Sequence, residues 1–301
     1  MTSAEEKYPT DYAPHIHRAE VLAVTRVGTA MVRVTLGGAD MVDYPTTGVG
    51  DEWIRVFFPD APTEPVRLPE LEGRGWTYAD GVEASAMRAY TVRAWRPGEI
   101  DVDFVVHGNG VATTWATTVE PGGEVGLTPP VDVYDRPHGA TRQVLFCDEP
   151  GLPAALRIAE TAPAGMASTL VCEVRAEGYE ISPTRDDVEC IWLPGSGNGV
   201  AESRLPEVLT GMEITDEDAV WAATETRTSR SIRKILRQDK GLARGAATTM
   251  GYWVHDSEEW RAAYDALGPD FADKVRAVFD SGRDKDEMIA VVDELYESNG
   301  L

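Results

Sequence analysis

The chain has 301 residues, 43% of them hydrophobic, which is apolar material for two modest domains rather than one. Acidic residues outnumber basic ones by 51 to 28, a formal net charge of -23, so long-range attraction to nucleic-acid phosphates or anionic lipid is disfavoured and no nucleic-acid partner is expected. No run approaches the ~20 apolar residues that span a bilayer, and residues 1–15 lack a basic region followed by an apolar stretch, so the expectation is a cytoplasmic protein without integral membrane association. Cys147, Cys172 and Cys190 lie in apolar strand-like runs without metal-ligand spacing; they read as buried free thiols, and no metal site is expected.

Residues 15–27, 30–36, 52–58, 88–95, 99–107 and 123–129 read as short strands separated by turn chemistry, the pattern of a barrel or sandwich. Ile100, Val102, Phe104 and Val106 alternate with Asp101, Asp103 and Val105, and Arg96-Pro97-Gly98 supplies a turn, so RAYTVRAW (88–95) should pair antiparallel with EIDVDFVVH (99–107). Between Pro59 and Ala86 the composition is rich in Pro, Gly and Glu without sustained periodicity, as in a long surface excursion.

Beyond Arg142 the pattern changes to continuous apolar strands at 143–147, 168–174, 189–193, 219–224 and 246–253, with helices at 153–160, 200–209 and 228–238. Such strands imply a parallel, doubly wound sheet covered on both faces. From Asp256 only helical spacing remains, with Trp260, Ala263, Tyr264 and Leu267 forming the first stripe.

A barrel followed by a nucleotide-binding sheet leaves a cleft in which a flavin on the first domain can meet a nicotinamide on the second. In RAYTVR, alternation puts Arg88 and Tyr90 on one face and Thr91 and Arg93 on the other. Arg88 can pair with a pyrophosphate, Tyr90 can stack on an isoalloxazine, and Thr91 can offer a hydroxyl to the ring. An ordinary half-buried strand has the same letters. HGNGVATTWA (107–116) opens a helix after Gly108 and Gly110; free helix N–H groups bind phosphate, Ala112 and Thr113 leave room for it, and Trp115 belongs to the core. His107 is either a ribose contact or a structural strand-end histidine.

In order and spacing, RAYTVR, DVDFVVHGNGVATTWA, PGGEVGLTPP, DEPGLPAA, AVWAATE and GYW resemble the motifs of siderophore-interacting proteins, the FAD-dependent ferric-siderophore reductases, over about residues 15–254. The resemblance implies a ferredoxin-reductase type of fold. Its parts would be a Greek-key FAD-binding β-barrel (1–135), a doubly wound α/β NAD(P)H-binding domain (136–255) and a helical C-terminal extension (256–301). It implies electron transfer from NADH or NADPH through FAD to a ferric siderophore, with iron released as the ferrous ion; some relatives are thought to use ferredoxin as donor. Arg88, Tyr90, Thr91, Arg93, His107, Gly110, Ala112, Thr113 and Trp115 would then serve FAD. Asp148, Glu149, Glu225, Arg175 and Arg230 would serve the nicotinamide dinucleotide, although Glu225 can equally be a helix N-terminal carboxylate and Arg230 part of a solvated helix face.

Departures from the family pattern bear on specificity. Pro150 and Gly151 replace the usual threonine and alanine of the nicotinamide turn, and Thr224 replaces a glycine. Of three basic positions around the flavin edge this chain keeps Arg55 and has Val131 and Val254 at the others, which implies a less negative, mixed-ligand siderophore. Trp253 or Tyr296 would cover the flavin, and the tail would gate nicotinamide access. A general flavin or quinone reductase and a non-catalytic siderophore-binding protein are the alternatives.

Overall fold

The structure is a computed structural model describing residues 12–301 except Gly73, Arg74, Asn109, Asp135, His138, Arg244 and Asp284. The first part contains β1 (His17–Val27), β2 (Met31–Gly37), β3 (Trp53–Phe58), β4 (Glu70–Glu72), β5 (Gly75–Thr77), β6 (Ala86–Thr91), β7 (Ala94–Arg96), β8 (Glu99–Val105), helix α1 (Val111–Thr118) and β9 (Glu124–Leu127). Seven of these strands form one antiparallel sheet in the order β6-β3-β9-β1-β2-β8-β7. Ile100, Val102 and Phe104 of β8 point into its core. Asp101 and Asp103 are buried on the opposite face because Arg96 forks onto Asp101 and Arg33, the cross-strand partner of Asp103, forks onto that carboxylate at 2.7 and 2.8 Å.

RAYTVRAW is two strands rather than one. Residues 88–91 pair with β3, and only Ala94–Arg96 pairs with β8. Barrel closure is the physical reason: β6 and β7 lie at opposite edges of the sheet, and the chain passes between them at Val92-Arg93. There the Val92 amide donates to Glu52 and the Arg93 amide to Asp101, which draws the two edges together. The excursion after β3 is also more ordered than its composition implies. It carries the β4–β5 hairpin, whose Trp76 ring meets Phe57 edge-on at 5.4 Å, with Val66 buried beneath.

The second part contains β10 (Arg142–Cys147), α2 (Leu152–Glu160), β11 (Ala167–Val174), β12 (Val188–Pro194), α3 (Leu205–Gly211), β13 (Asp218–Glu225), α4 (Thr226–Lys234) and β14 (Ala247–Trp253). Its five strands are all parallel, in the order β12-β11-β10-β13-β14. One face packs on α2 and the barrel, the other on α3 and α4. The helix expected at 200–209 begins at Leu205 instead, and the one expected at 228–238 ends in a π turn over Ile235–Asp239. Cys147 and Cys172 are buried free thiols and Cys190 is a partly buried one.

The two parts share a core, since Ala30 and Met31 of the barrel pack with Leu152, Leu156 and Trp221. Close approach of α2 to the barrel requires Gly50, where a Cβ would lie 2.6 Å from the Ile158 side chain. Helices α5 (Ser257–Ala266), α6 (Pro269–Phe279) and α7 (Lys285–Ser298) follow. Their apolar stripes bury one another: Phe271, Val275 and Leu301 cluster with Trp260, Tyr264 and Tyr296. Arg230 and Arg233 of α4 hold this tail through Asp293, and Arg230 also donates to the Leu301 carbonyl at 2.7 Å. No described helix is long and apolar enough to cross a membrane.

Candidate functional site

In an open parallel sheet, ligands sit beyond the carboxyl ends of the strands where the winding direction reverses. Here the reversal lies between β10 and β13, and the chain leaves those strands at Asp148 and Glu225. Asp148 is buried and ties three strand ends together: one oxygen accepts from Trp253 Nε1 at 2.7 Å and from the Glu225 amide at 2.8 Å. Burial pushes its carboxyl up to about 7, against the pull of those donors. Gly151 admits the N-terminus of α2 to this corner, since a Cβ would stand 2.2 Å from the Ala223 carbonyl oxygen. Its φ of -82° is helical, so close approach, rather than backbone freedom, is what the glycine provides.

Glu149 accepts from the Arg175 amide and from Arg175 Nε, at 2.8 and 2.7 Å. Burial raises the Glu149 carboxyl pKa while Arg175 opposes the rise. Arg175 also donates to the Val106 carbonyl of the barrel and lies 5.1 Å from the Tyr179 ring, so its guanidinium is largely committed. Glu225 accepts from the amides of Arg227 and Thr228 as the N-cap of α4. Arg230 stands apart from this group, engaged with Asp293, Leu301 and the Tyr296 ring. Asp148, Glu149, Arg175 and Glu225 therefore gather at the sheet edge, whereas Arg230 faces the tail.

On the barrel, Tyr90 and Trp115 are brought together by shared neighbours. The Tyr90 ring lies 4.4 Å from Phe104 and 6.4 Å from Phe58, and Trp115 lies 5.6 and 5.4 Å from the same two rings. This aromatic cluster sets β6 beside α1. Arg88 is exposed, and among the described residues its guanidinium donates to the carbonyl of Met87. Gly110, in extended conformation, is the N-cap of α1, and no described side chain caps the helix. The first helical bond runs from Thr114 to Gly110, leaving the amides of residues 111–113 without intrahelical partners. Ala112 and Thr113 are buried, the Thr113 hydroxyl bonding to the Val105 carbonyl. Gly108 has φ +52° with open space around it. His107 is exposed, and partial desolvation and the Arg175 charge lower its pKa.

Thr91 and Arg93 point the other way. Arg93 is ion-paired with Glu160 of α2 at 2.8 Å. Thr91 lies beside Tyr252, whose hydroxyl is buried without a hydrogen bond of ordinary geometry, near Asp51. Sequence reasoning passed over Tyr252 and Asp51. Asp51 accepts from the Tyr134 amide and from Trp221 Nε1, joining barrel, linker and parallel sheet. Also passed over is the run from Gly195 to Gly199, legible as a glycine cluster, whose positive φ angles could form an anion nest. Buried Glu173 occupies that place instead, accepting from the hydroxyls of Ser196 and Ser203.

The same two-part division appears in comparison with known proteins. The family model for the siderophore-interacting FAD-binding domain matches residues 20–134, and that for siderophore-interacting protein matches residues 140–256. The chain belongs to the siderophore-interacting protein family. It is 30% identical over 244 residues to the ferric vibriobactin reductase ViuB of Vibrio cholerae, covering 77% of this chain and 87% of that one. A siderophore utilization protein from T. fusca superposes with a TM-score of 0.71 at 30% identity, over 81% of this chain and 94% of that chain. The siderophore-interacting protein SipS from Aeromonas hydrophila superposes with a TM-score of 0.68 at 23% identity, over 84% and 98% of the two chains.

The residues present fit the FAD that this family's first domain takes. A guanidinium that is exposed and, among the described residues, without an acid partner, three helix amides without intrahelical partners and two flanking glycines with no bulk fit a diphosphate. The buried Tyr252 hydroxyl lies across from Thr91, where the barrel meets the parallel sheet.

Proposed function

We propose that this siderophore-interacting protein is an FAD-dependent reductase that passes electrons from NADH or NADPH to a ferric siderophore and releases iron as the ferrous ion, in the cytoplasm. One observation carries the reading: Thr91, in the barrel's flavin motif and at the end of β6, lies beside Tyr252 in the last parallel strand. Bound FAD would accept a hydride from the nicotinamide and deliver electrons singly to ferric substrate.

The chain's own residues bind, orient and exclude water. Arg88 and the α1 amides would hold the diphosphate, with Gly110, Ala112 and Thr113 leaving it room. Tyr90 and Thr91 would bound the flavin, and His107 would face a ribose. Trp115 supports Tyr90 through Phe58 and Phe104. Asp148, Glu149, Arg175 and Glu225 would frame the nicotinamide side. Arg93 and Arg230 serve these sites at one remove, since their charges are spent on Glu160 and Asp293.

Arg55 is the cation we assign to the substrate side. Its guanidinium lies 4.9 Å from the Trp53 ring and 5.0 Å from the Trp76 ring, with burial lowering its pKa. One cation braced by two indoles, with valine rather than a basic residue at positions 131 and 254, suits a siderophore of mixed ligands and modest negative charge. Hard oxygen ligands hold ferrous iron more weakly than ferric, so release follows reduction.

The test is anaerobic mixing of the flavin-loaded protein with NADH or NADPH while flavin absorbance is followed. A ferric siderophore and a ferrous trap are then added. Bleaching followed by reoxidation with stoichiometric ferrous ion is expected. Faster reoxidation by free flavin or quinone than by any ferric siderophore would overturn the substrate assignment, and a strong preference for ferric tris-catecholate over hydroxamate or mixed chelates would overturn the charge argument.

A further inference from the structure

We propose that His15, His17 and Asp40 form a binding site for a divalent first-row transition-metal ion, separate from the flavin and nicotinamide sites. The argument begins with alternation. In His-Ile-His at the entry to β1, the two imidazoles share one face and Ile16 takes the other, buried with Phe57 and Val66. The two rings lie 3.8 Å apart, centre to centre. Asp40 arrives from the short 3-10 turn Ala39–Met41 after β2, and the Arg18 amide, 2.7 Å from Oδ2, holds its carboxylate in place. One ligating atom of each of the three residues lies within 4.8 Å of the others, a grouping found nowhere else among the described residues.

For neutral rings, the hydrogen bonds fix which nitrogens carry the lone pairs. His17 Nδ1 lies 2.6 Å from the Asp40 carbonyl oxygen, and a carbonyl cannot donate, so Nδ1 carries the proton and Nε2 the lone pair. His15 Nδ1 lies 3.0 Å from the Ala13 carbonyl oxygen, with the same consequence. In the neutral ring the His15 Nε2 lone pair then faces Asp40 Oδ1 at 3.3 Å, two acceptors that a metal ion or a second ring proton must bridge. Backbone support at Nδ1 with the lone pair on Nε2 is the arrangement that orients histidines for metal. Two neutral imidazoles and one carboxylate suit Zn2+ or Fe2+ better than Mg2+ or Ca2+, and three protein donors leave positions for water. The net charge of -23 raises the local cation concentration. Tyr12 Oη, 2.8 Å from His17 Nε2, occupies the position an ion would take and must swing aside.

Zn2+ titrated calorimetrically into the full-length flavin-loaded protein, in physiological salt with excess Mg2+ to fill weak acidic sites, tests this. One equivalent is expected to bind. His15→Ala and Asp40→Asn should each weaken it by at least ~10-fold, Tyr12→Phe should bind no less tightly than wild type, and His255→Ala should leave binding unchanged. His15 and Asp40 are partly or fully exposed, so both variants should keep the metal-free melting temperature and flavin content, which separates ligand loss from misfolding. Absence of stoichiometric binding, or equal affinity in wild type, His15→Ala and Asp40→Asn, would overturn the proposal; the histidine–carboxylate contact would then be a protonated pair pinning the start of β1.

Discussion

Arg157 of α2 lies 2.6 Å from the Glu52 carboxylate of the barrel, and neither side chain is more than 10% exposed. The same guanidinium donates to the Val92 carbonyl at 2.5 Å, and the Glu52 carboxylate also accepts from Thr46 and Thr47, so both partners are satisfied as well as paired. Removing one partner strands the other charge in an apolar seam. Arg157→Ala should therefore destabilise the protein by about 3 kcal/mol or more, read as a lower denaturant midpoint, and Glu52→Gln should do the same. Loss of less than about 0.5 kcal/mol, the range of surface substitutions, would mean the seam is wet.

Arg88 has no acid partner among the described residues, so its substitution separates cofactor binding from folding. Arg88→Ala is expected to raise the FAD dissociation constant by ~10- to 100-fold, the range of one or two charge-assisted hydrogen bonds, while the apoprotein melts as wild type does. Flavin absorbance during titration of the apoprotein measures this. An unchanged constant would remove Arg88 from the diphosphate site.

Asp148 gives the stability a pH signature. Its carboxyl is pushed up to about 7 in the folded protein, whereas an unfolded chain holds it near ~3.9. Between these values the folded state binds the extra proton, so the stability this group contributes is fully present below about pH 4 and is lost as the pH rises through 7. Asp148→Asn keeps an acceptor for Trp253 and Glu225 and does not titrate. Melting temperature should fall more steeply between pH 5 and 8 in wild type than in the variant, and parallel profiles would contradict the assignment.

The order of domains and nearly every strand were legible in the sequence, because Ile100, Val102 and Phe104 alternate and QVLFC, STLVCEV and AVWAAT run continuously apolar; these are local signals. Closure of the barrel is not local, and so the break at Val92-Arg93 was hidden within an unbroken run of strand-forming residues. The same holds for Arg93 and Arg230. Each reads as a free cation in sequence, yet Glu160 and Asp293, 67 and 63 residues further along the chain, take their charges. Glu225 could be read either way, and it caps α4. Tyr296, expected over the flavin, instead packs with Trp260, Tyr264 and Phe271 inside the tail and against Arg230. Tyr252 was overlooked because one phenol in a short motif acquires meaning only from what folds against it.

The break between β6 and β7 has a mechanical consequence. Thr91 is followed at once by two residues that α2 grips, Val92 through its carbonyl and Arg93 through Glu160, and is itself met by Tyr252. The chain has no slack there in which a hinge could act. The barrel and the parallel sheet are thus clamped at a fixed separation, like the jaws of a locked caliper, and on the proposed function turnover should be governed by ligands entering and leaving a standing gap, not by the two halves opening and closing around them.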